Sequence, residues 1–503
     1  MKYLLGLDHG GTTSKAVLFT QDGEAVASAK RITPMNTPRS GFTQRDMEKL
    51  WQANCEVIRE TVETSGVRVA DIAGVSVSGH GKGLYLWGKD HKPAYPGIVS
   101  TDSRAWKIIQ TWNQDGTADA VLPLTCQSVL ASQPVALLKW FMENRPDVLD
   151  NTRWIFGVKD YLRYRMTGKP CAEITDSSGS NLVNLSTAAY DDEILRIFGL
   201  ETMKGKLPPL VYSSEICGHV TAECAALTGL EEGTPVAAGL FDIDACAIGM
   251  NVTDDTYMAV IAGTWSINEY VSDTPVMDRS VKMNSLYCIK DRFLVEECSP
   301  TSASNLEWFI QTFLKELAGE ASLYRVADEM VGGVAPDEAN IIFLPYLYGG
   351  SDDANAGAAF VNIHAAHTRA QMLRSVYEGI VFGHRLHIER LLSGAARPPK
   401  AIRLAGGVVN SQAWVQMFAD ILNMEIQTVD SAELGALGAA MTASVAAGIY
   451  PDLTTASRAM AGMRQVYTPN RRYRAVYDQK YEEFCNVVRT MRPLWAQPEQ
   501  ADE

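Results

Sequence analysis

One pattern, written twice, constrains this chain more than any other feature. Leu4-Leu5-Gly6-Leu7-Asp8-His9-Gly10-Gly11-Thr12-Thr13 runs on into Ser14-Lys15-Ala16-Val17-Leu18-Phe19, which reads as an apolar strand, an Asp, a Gly/Thr turn and a second strand. Near the middle of the chain, Tyr257 to Val271 repeats the pattern around Gly263-Thr264, this time with no Asp at the turn. Two related hairpins opening halves of similar length predict an internal duplication with a ligand held between the halves, at a period far longer than that of solenoid repeats. Such a hairpin suits phosphates. Glycines such as Gly10 let the backbone come close, while exposed N–H groups and the hydroxyls of Thr12 and Thr13 can donate to phosphate oxygens. Asp8 can hold a Mg²⁺ ion through its water shell. Either stretch alone also reads as an ordinary Gly-rich hairpin.

The 503 residues suffice for two or more domains with full cores, and 46% hydrophobic with 21% charged residues is ordinary for a globular protein. A net charge of -14 argues against a nucleic-acid partner, which needs clustered Lys and Arg. Nine cysteines without a C-x-x-C pair predict no disulfide or zinc framework and are read as reduced core residues of a cytoplasmic protein. Met1-Lys2 leads straight into the first strand, so no signal peptide is expected. No stretch approaches the roughly 20 apolar residues of a membrane span, so no membrane partner is expected either.

Strand-like and helix-like segments alternate, which predicts α/β architecture. Strands are expected at Glu24–Arg31, Ile72–Ser78, Pro235–Leu240 and Ala401–Leu404, and helices at Asp46–Ser65, Ser304–Leu317, Arg369–Leu392, Ser411–Asn423 and Gly435–Ala447. Polar Asn251-Val252-Thr253-Asp254-Asp255 marks the best boundary, giving domains 1–250 and 251–503, with a frayed end over Gln497–Glu503.

Two segments invite wrong readings. Gly79-His80-Gly81-Lys82-Gly83 lacks the spacing of a P-loop, with Ser76 and Gly83 where that motif needs Gly and Ser/Thr, and it does not fit the dinucleotide fingerprint. His384 and His387 lie on an amphipathic helix with no third ligand, so a core or surface role is expected.

Asp242 follows a buried strand and is the leading catalytic candidate: a carboxylate there can take a proton from a substrate hydroxyl as that oxygen attacks a γ-phosphorus. Asp244 is the alternative, either as base or as a helix cap. Gly79, His80 and Lys82 lie at another strand end, where α/β folds place ligands. His80 and Lys82 suit hydrogen bonding to a polyhydroxylated substrate, although Lys82 also reads as a solvated loop residue. Asp102 and Arg104 can each bind hydroxyls or pair with one another. Gly406 and Gly407 precede a helix capped by Asn410 or Ser411, a turn that admits a nucleoside and a diphosphate or simply packs tightly.

Together these residues resemble the FGGY carbohydrate kinases, within the actin, hexokinase and Hsp70 superfamily. Asp8-x-Gly10-x-Thr12-x-x-Lys15 matches the family's first phosphate motif and Gly263-Thr264 its second. Its adenosine motif falls on Gly406-Gly407 with Ala413-Trp414-x-Gln416-Met417, and its catalytic Asp on Asp242. The resemblance implies two ribonuclease-H-like domains flanking a deep cleft, with ATP and Mg²⁺ as cofactors. Asp242 would be the base and Asp8 the metal residue, with Gly10, Thr12, Thr13, Lys15, Gly263, Thr264, Gly406, Gly407 and Asn410 toward the nucleotide. Gly79, His80, Lys82, Asp102, Arg104 and Asp242 would face the sugar, and a homodimer is one expected assembly. Ser299-Pro300-Thr301-Ser302 with Asn305-Leu306-Glu307-Trp308 looks most like L-xylulose kinases. D-xylulose, L-ribulose, erythritol and glycerol are the alternatives, and a chaperone-like or cytoskeletal ATPase is the remote one. The glycerol kinases' Gln-Arg-Glu clamp is absent around Ser78–His80, and Gly349-Gly350-Ser351 stands where Gly-Glu-Arg is common.

Overall fold

The computed structural model describes all residues except 278–280, 318–321, 351, 354, 430–432 and 497–503. Ser351 and the expected frayed end therefore lie outside the described residues.

The opening apolar run forms β1 (Tyr3–His9), which pairs antiparallel with β2 (Thr13–Thr20), so that Asp8 faces Lys15 and His9 faces Ser14. β3 (Ala25–Ile32) continues the meander. Helix α1 (Met47–Ser65) begins where Asp46 accepts the amides of Glu48 and Lys49 and ends at Gly66 in the left-handed region. It returns the chain so that β4 (Ile72–Gly79), apolar and buried along nearly its whole length, runs parallel to β1. After α2 (Val158–Thr167) and the short α3 (Ile174–Ser178) come β5 (Ile216–His219), β6 (Pro235–Ala237), β7 (Leu240–Phe241) and α4 (Asp242–Gly249).

The second half opens on β8 (Tyr257–Ala262) and β9 (Ser266–Ser272), followed by β10 (Phe293–Ser299), α5 (Ser304–Phe313), α6 (Leu323–Gly332) and α7 (Arg369–Ser393). Then come β11 (Ala401–Ala405), α8 (Gln412–Leu422), β12 (Glu425–Val429), α9 (Leu434–Ala446) and β13 (Met463–Tyr467).

The strand orders show the duplication directly. One sheet reads β3-β2-β1-β4-β6-β5 and the other contains β10-β9-β8-β11-β12-β13. In each, the hairpin is antiparallel, the next two strands run parallel to its first strand, and the last is antiparallel. Both are the ribonuclease-H-like arrangement that the resemblance implied.

The chain forms two compact units, Met1–Asp254 with Val271–Val295 and Ser431–Gly462, and Asp255–Tyr270 with Glu296–Asp430 and Met463–Glu503. Helix α9 belongs to the first of these because its small residues let it lie against β1 and β4. A Cβ on Gly6 would sit 1.9 Å from the carbonyl oxygen of Ala436, and one on Gly438 would sit 2.2 Å from that of Ala245.

The single strand expected over Pro235–Leu240 is broken into β6 and β7. Gly239 between them has φ +86, and any Cβ there would lie 2.1 Å from the oxygen of Val77, so the chain jogs as it passes β4. Asp242 consequently starts a helix. The helix expected over Ser304–Leu317 stops at Phe313, and a separate 3₁₀ turn covers Lys315–Leu317.

Candidate active site

Three parallel strands of the first unit end side by side. Asp8 pairs with Ser78, which pairs with Leu240; one step on, His9 pairs with Gly79 and Gly79 with Phe241. The next residue of each strand is Gly10, His80 and Asp242. Carboxyl ends of parallel strands are where open α/β sheets present ligands, and here register alone gathers these candidates from three distant stretches.

The first turn is tightly held. Arg45, almost fully buried, donates to His9 Nε2 at 2.8 Å, to Thr33 Oγ1 at 3.2 Å and to the carbonyl of Gly11, while His9 Nδ1 meets Ser14 Oγ at 2.6 Å. Burial, then the charge of Arg45, keeps His9 well below its usual range, so it is neutral. Lys15 forms an ion pair with Glu433, each about a quarter exposed. Asp8 lies against Gly435 in the first turn of α9, where a Cβ would sit 2.6 Å from the carboxyl carbon. Burial pushes the Asp8 carboxyl up to about 6, with Glu433 adding to the rise and Lys15 and the Ser78 hydroxyl opposing it.

His80 is also buried and neutral: burial and then Arg45 take it down to about 3, and its ring nitrogens meet the Gly81 carbonyl and the Tyr85 hydroxyl, each at 3.2 Å. Lys82 adopts φ 61 and places Nζ 5.9 Å from the centre of the Phe241 ring. Asp102 and Arg104 pair with one another at 2.8 Å with both side chains fully buried, and Asp102 also accepts the Thr43 amide at 2.7 Å. That carboxylate is satisfied within the protein, which is the pairing alternative of the two readings. Asp242 is half-buried at the start of α4, whereas Asp244 is fully buried and accepts the Cys288 amide at 3.1 Å. Asp244 does not cap the helix it sits in.

The second hairpin opens onto a cavity of about 690 Å³ contained within the second unit, a size typical of small-ligand pockets. Gly263 and Thr264 form one rim and Gly407, Asn410 and Ser411 another, with Tyr377 and Trp414 between them. The turn is braced from behind, as the Ala303 amide donates to the Gly263 carbonyl at 2.8 Å and the Ser304 hydroxyl to that of Thr264 at 3.2 Å. Gly406 takes φ +96, and a Cβ there would lie 2.4 Å from the Ala262 oxygen, so only glycine lets β11 turn away so close to the hairpin. A 3₁₀ turn over Gly407–Asn410 follows, and Ser411 rather than Asn410 caps α8, accepting the Trp414 amide at 3.1 Å. Tyr377 donates to Asp328 at 2.8 Å, and the Trp414 indole donates to the Tyr377 carbonyl at 3.3 Å.

His384 contacts Asn268 at 2.8 Å and Ser302 at 2.9 Å, a hydrogen-bonded core residue as expected.

Residues 3–249 match the N-terminal domain of the FGGY family of carbohydrate kinases and residues 258–447 its C-terminal domain. The chain belongs to the FGGY family of carbohydrate kinases. It is 34% identical to the L-xylulose/3-keto-L-gulonate kinase of Escherichia coli K12, over 98% of both chains. It is 33% identical to a probable L-xylulose kinase of Haemophilus influenzae, over 98% of this chain and all of that protein. Among solved structures, ligand-bound xylulose kinase from Lactobacillus acidophilus superposes with TM-score 0.89 at 27% identity, covering 98% of each chain. As a member of this family the chain is an ATP-dependent sugar kinase, which removes the ATPase alternative.

Of the expected site residues, Asp8, Gly10, Thr12, Thr13, Lys15, Gly79, His80, Lys82 and Asp242 come from the gathered strand ends and their turns, and Gly263, Thr264, Gly407 and Asn410 line the cavity. Gly406 shapes that rim from behind. Sequence reasoning missed Arg45, Glu433 and Gly435, which hold the first FGGY hairpin from elsewhere in the chain, and Tyr324 and Asp328 on the cavity wall. No local signal marks Glu433 or Gly435, because only tertiary contact gives them meaning.

Proposed function

We propose that this FGGY kinase transfers the γ-phosphoryl group of ATP to a hydroxyl of a ketopentose, L-xylulose foremost. The observation that carries the reading is the register of β1, β4 and β7, which sets Asp242 next to His80 at strand ends shared with the β1 end that carries Asp8. Asp242 takes the proton of the sugar hydroxyl as its oxygen bonds to the γ-phosphorus; the bond from that phosphorus to the β–γ bridging oxygen breaks, and ADP leaves. Neutral His80 and the groups around Lys82 and the Asp102–Arg104 pair shape the sugar side. Gly263, Thr264, Gly407 and Asn410 hold the nucleotide, with Tyr377 and Trp414 as an apolar wall for the base.

Asp8 suits Mg²⁺ through water: it is a half-buried oxygen donor at the end of the strand that leads into the Gly/Thr turn, the hard-ligand chemistry this ion requires. The ion would neutralise phosphate charge when bound. Thr12 and Lys15 would serve the same charge from the protein, Lys15 while shared with Glu433.

The substrate reading rests on the L-xylulose relatives and on Ser299–Ser302. Sugar-dependent ADP release, compared by kcat/KM, tests it across L-xylulose, 3-keto-L-gulonate, D-xylulose, L-ribulose, erythritol and glycerol. The highest kcat/KM is expected with L-xylulose; a polyol in first place overturns the ketose assignment. We further place the enzyme in the cytoplasm, supported by nine free cysteines, six of them buried, and a homodimer is the assembly to test. Its mass in solution reads the assembly.

A further inference from the structure

β7 is only two residues long, so little ladder pairing fixes the peptide that leads into Asp242. Its Phe241 amide donates instead to a side chain, Thr175 Oγ1, at 2.9 Å. That hydroxyl in turn donates to Glu173 Oε2 at 2.8 Å. Glu173 in turn accepts the Thr175 amide at 3.0 Å and the Ser213 hydroxyl at 2.7 Å, and it lies 3.4 Å from Lys159 Nζ. Every side chain in this relay is fully buried. Because a carboxylate so surrounded by donors acts as an acceptor, the Thr175 hydroxyl has one polarity left, with its lone pair toward Phe241.

The chain just before is held as firmly. Arg163 donates to the Ala238 carbonyl, the Gly239 amide reaches the Ser213 carbonyl at 3.1 Å, and the Phe241 ring occupies the space where a Cβ on Gly81 would lie 2.3 Å away. Charge balance supports the same relay: burial opposes the Lys159 charge, yet Asp160, Asp176 and Glu173 together raise its pKa.

We propose that Thr175 is a positioning residue for phosphoryl transfer, fixing through the Phe241 amide the direction in which Asp242 presents its carboxylate. This rests on Asp242 being the base. Thr175→Val keeps the shape and removes the relay, leaving the Phe241 N–H buried without its partner.

In the full-length enzyme, kcat for sugar-dependent ADP release is expected to fall about 10- to 100-fold in Thr175→Val, the scale of a small misplacement of a reacting group. KM for sugar and for ATP should stay within about twofold, because binding is not what the relay serves. Thr175→Ser keeps the hydroxyl and should recover kcat to within about threefold of the parent. In an Asp242→Asn background, Thr175→Val should lower turnover no further, since both changes act through one group. If the valine variant does not fold, Ser213→Ala removes another donor from the same carboxylate and should lower kcat about threefold at unchanged KM.

Wild-type kcat in a folded Thr175→Val, a serine variant as impaired as the valine, or fully multiplicative losses with Asp242→Asn overturns the positioning role while Asp242 remains the base. Wild-type turnover in Asp242→Asn overturns the base assignment itself, and the role of Thr175 falls with it.

Discussion

The two hairpins share a backbone pattern and differ in how it is held. At the first, Arg45 reaches both His9 and the Gly11 carbonyl, Glu433 takes Lys15, and α9 packs its glycine against Asp8. At the second, Thr264 and Trp265 are exposed at the tip, the bracing comes from backbone and hydroxyl groups at Ala303 and Ser304, and a cavity opens alongside. Duplication supplied one phosphate-suited turn twice. One copy became a charged corner around a carboxylate, and the other borders a ligand-sized cavity whose wall includes Glu307, Arg325 and Asp328. The difference fits the proposed division of labour between charge control and nucleotide holding.

Of changes made at the two hairpins, breaking the charged corner should have the largest effect. Asp8→Asn is expected to lower kcat about 10²- to 10³-fold, the range for removing one preorganised electrostatic group, with nucleotide affinity in the absence of Mg²⁺ preserved. Turnover and titration calorimetry separate these outcomes; equal losses in both would make Asp8 a general structural residue. The next effect belongs to the other hairpin. Gly406→Val forces a branched side chain into φ +96 and onto the Ala262 oxygen. Nucleotide binding should weaken about tenfold, consistent with roughly 1–3 kcal/mol of backbone strain, while sugar KM is unmoved. A shift in sugar KM of the same size would contradict the separate roles of the two regions.

The smallest effect is on stability. The Asp8 pKa is raised in the fold from 3.8 to about 6, so the folded chain keeps a proton that the unfolded chain has lost, and stability falls as pH rises between those values. Asp8→Asn removes that cost. Its unfolding midpoint should therefore exceed the parent's by about 2–4 °C above pH 7, with the gap closing near pH 4. Calorimetry across that range checks the sign, and a lower midpoint at pH 7 would show that the charged carboxylate stabilises its corner.

Much of this was legible in the chain. The duplicated hairpins gave the paired sheets, α1 follows its Asp46 cap, and the strand at Ile72 is buried as its apolar run demands. Three things were not legible for physical reasons. The break at Gly239 arises from a backbone oxygen of a neighbouring strand, and nothing in Pro235–Leu240 announces it. The buried bond of Asp244 to the Cys288 amide depends on where loops settle. The contact of α9 with Asp8 joins the two ends of the chain, so its glycine reads in sequence only as a small residue in a small-residue helix.

The proposed phosphoryl transfer turns on Asp242. Sugar-dependent ADP release by purified Asp242→Asn, alongside its nucleotide affinity, tests this most directly. Turnover is expected to fall about 10²- to 10⁴-fold with ATP binding retained, as for loss of a general base. Near-normal turnover would contradict the assignment of the proton to Asp242.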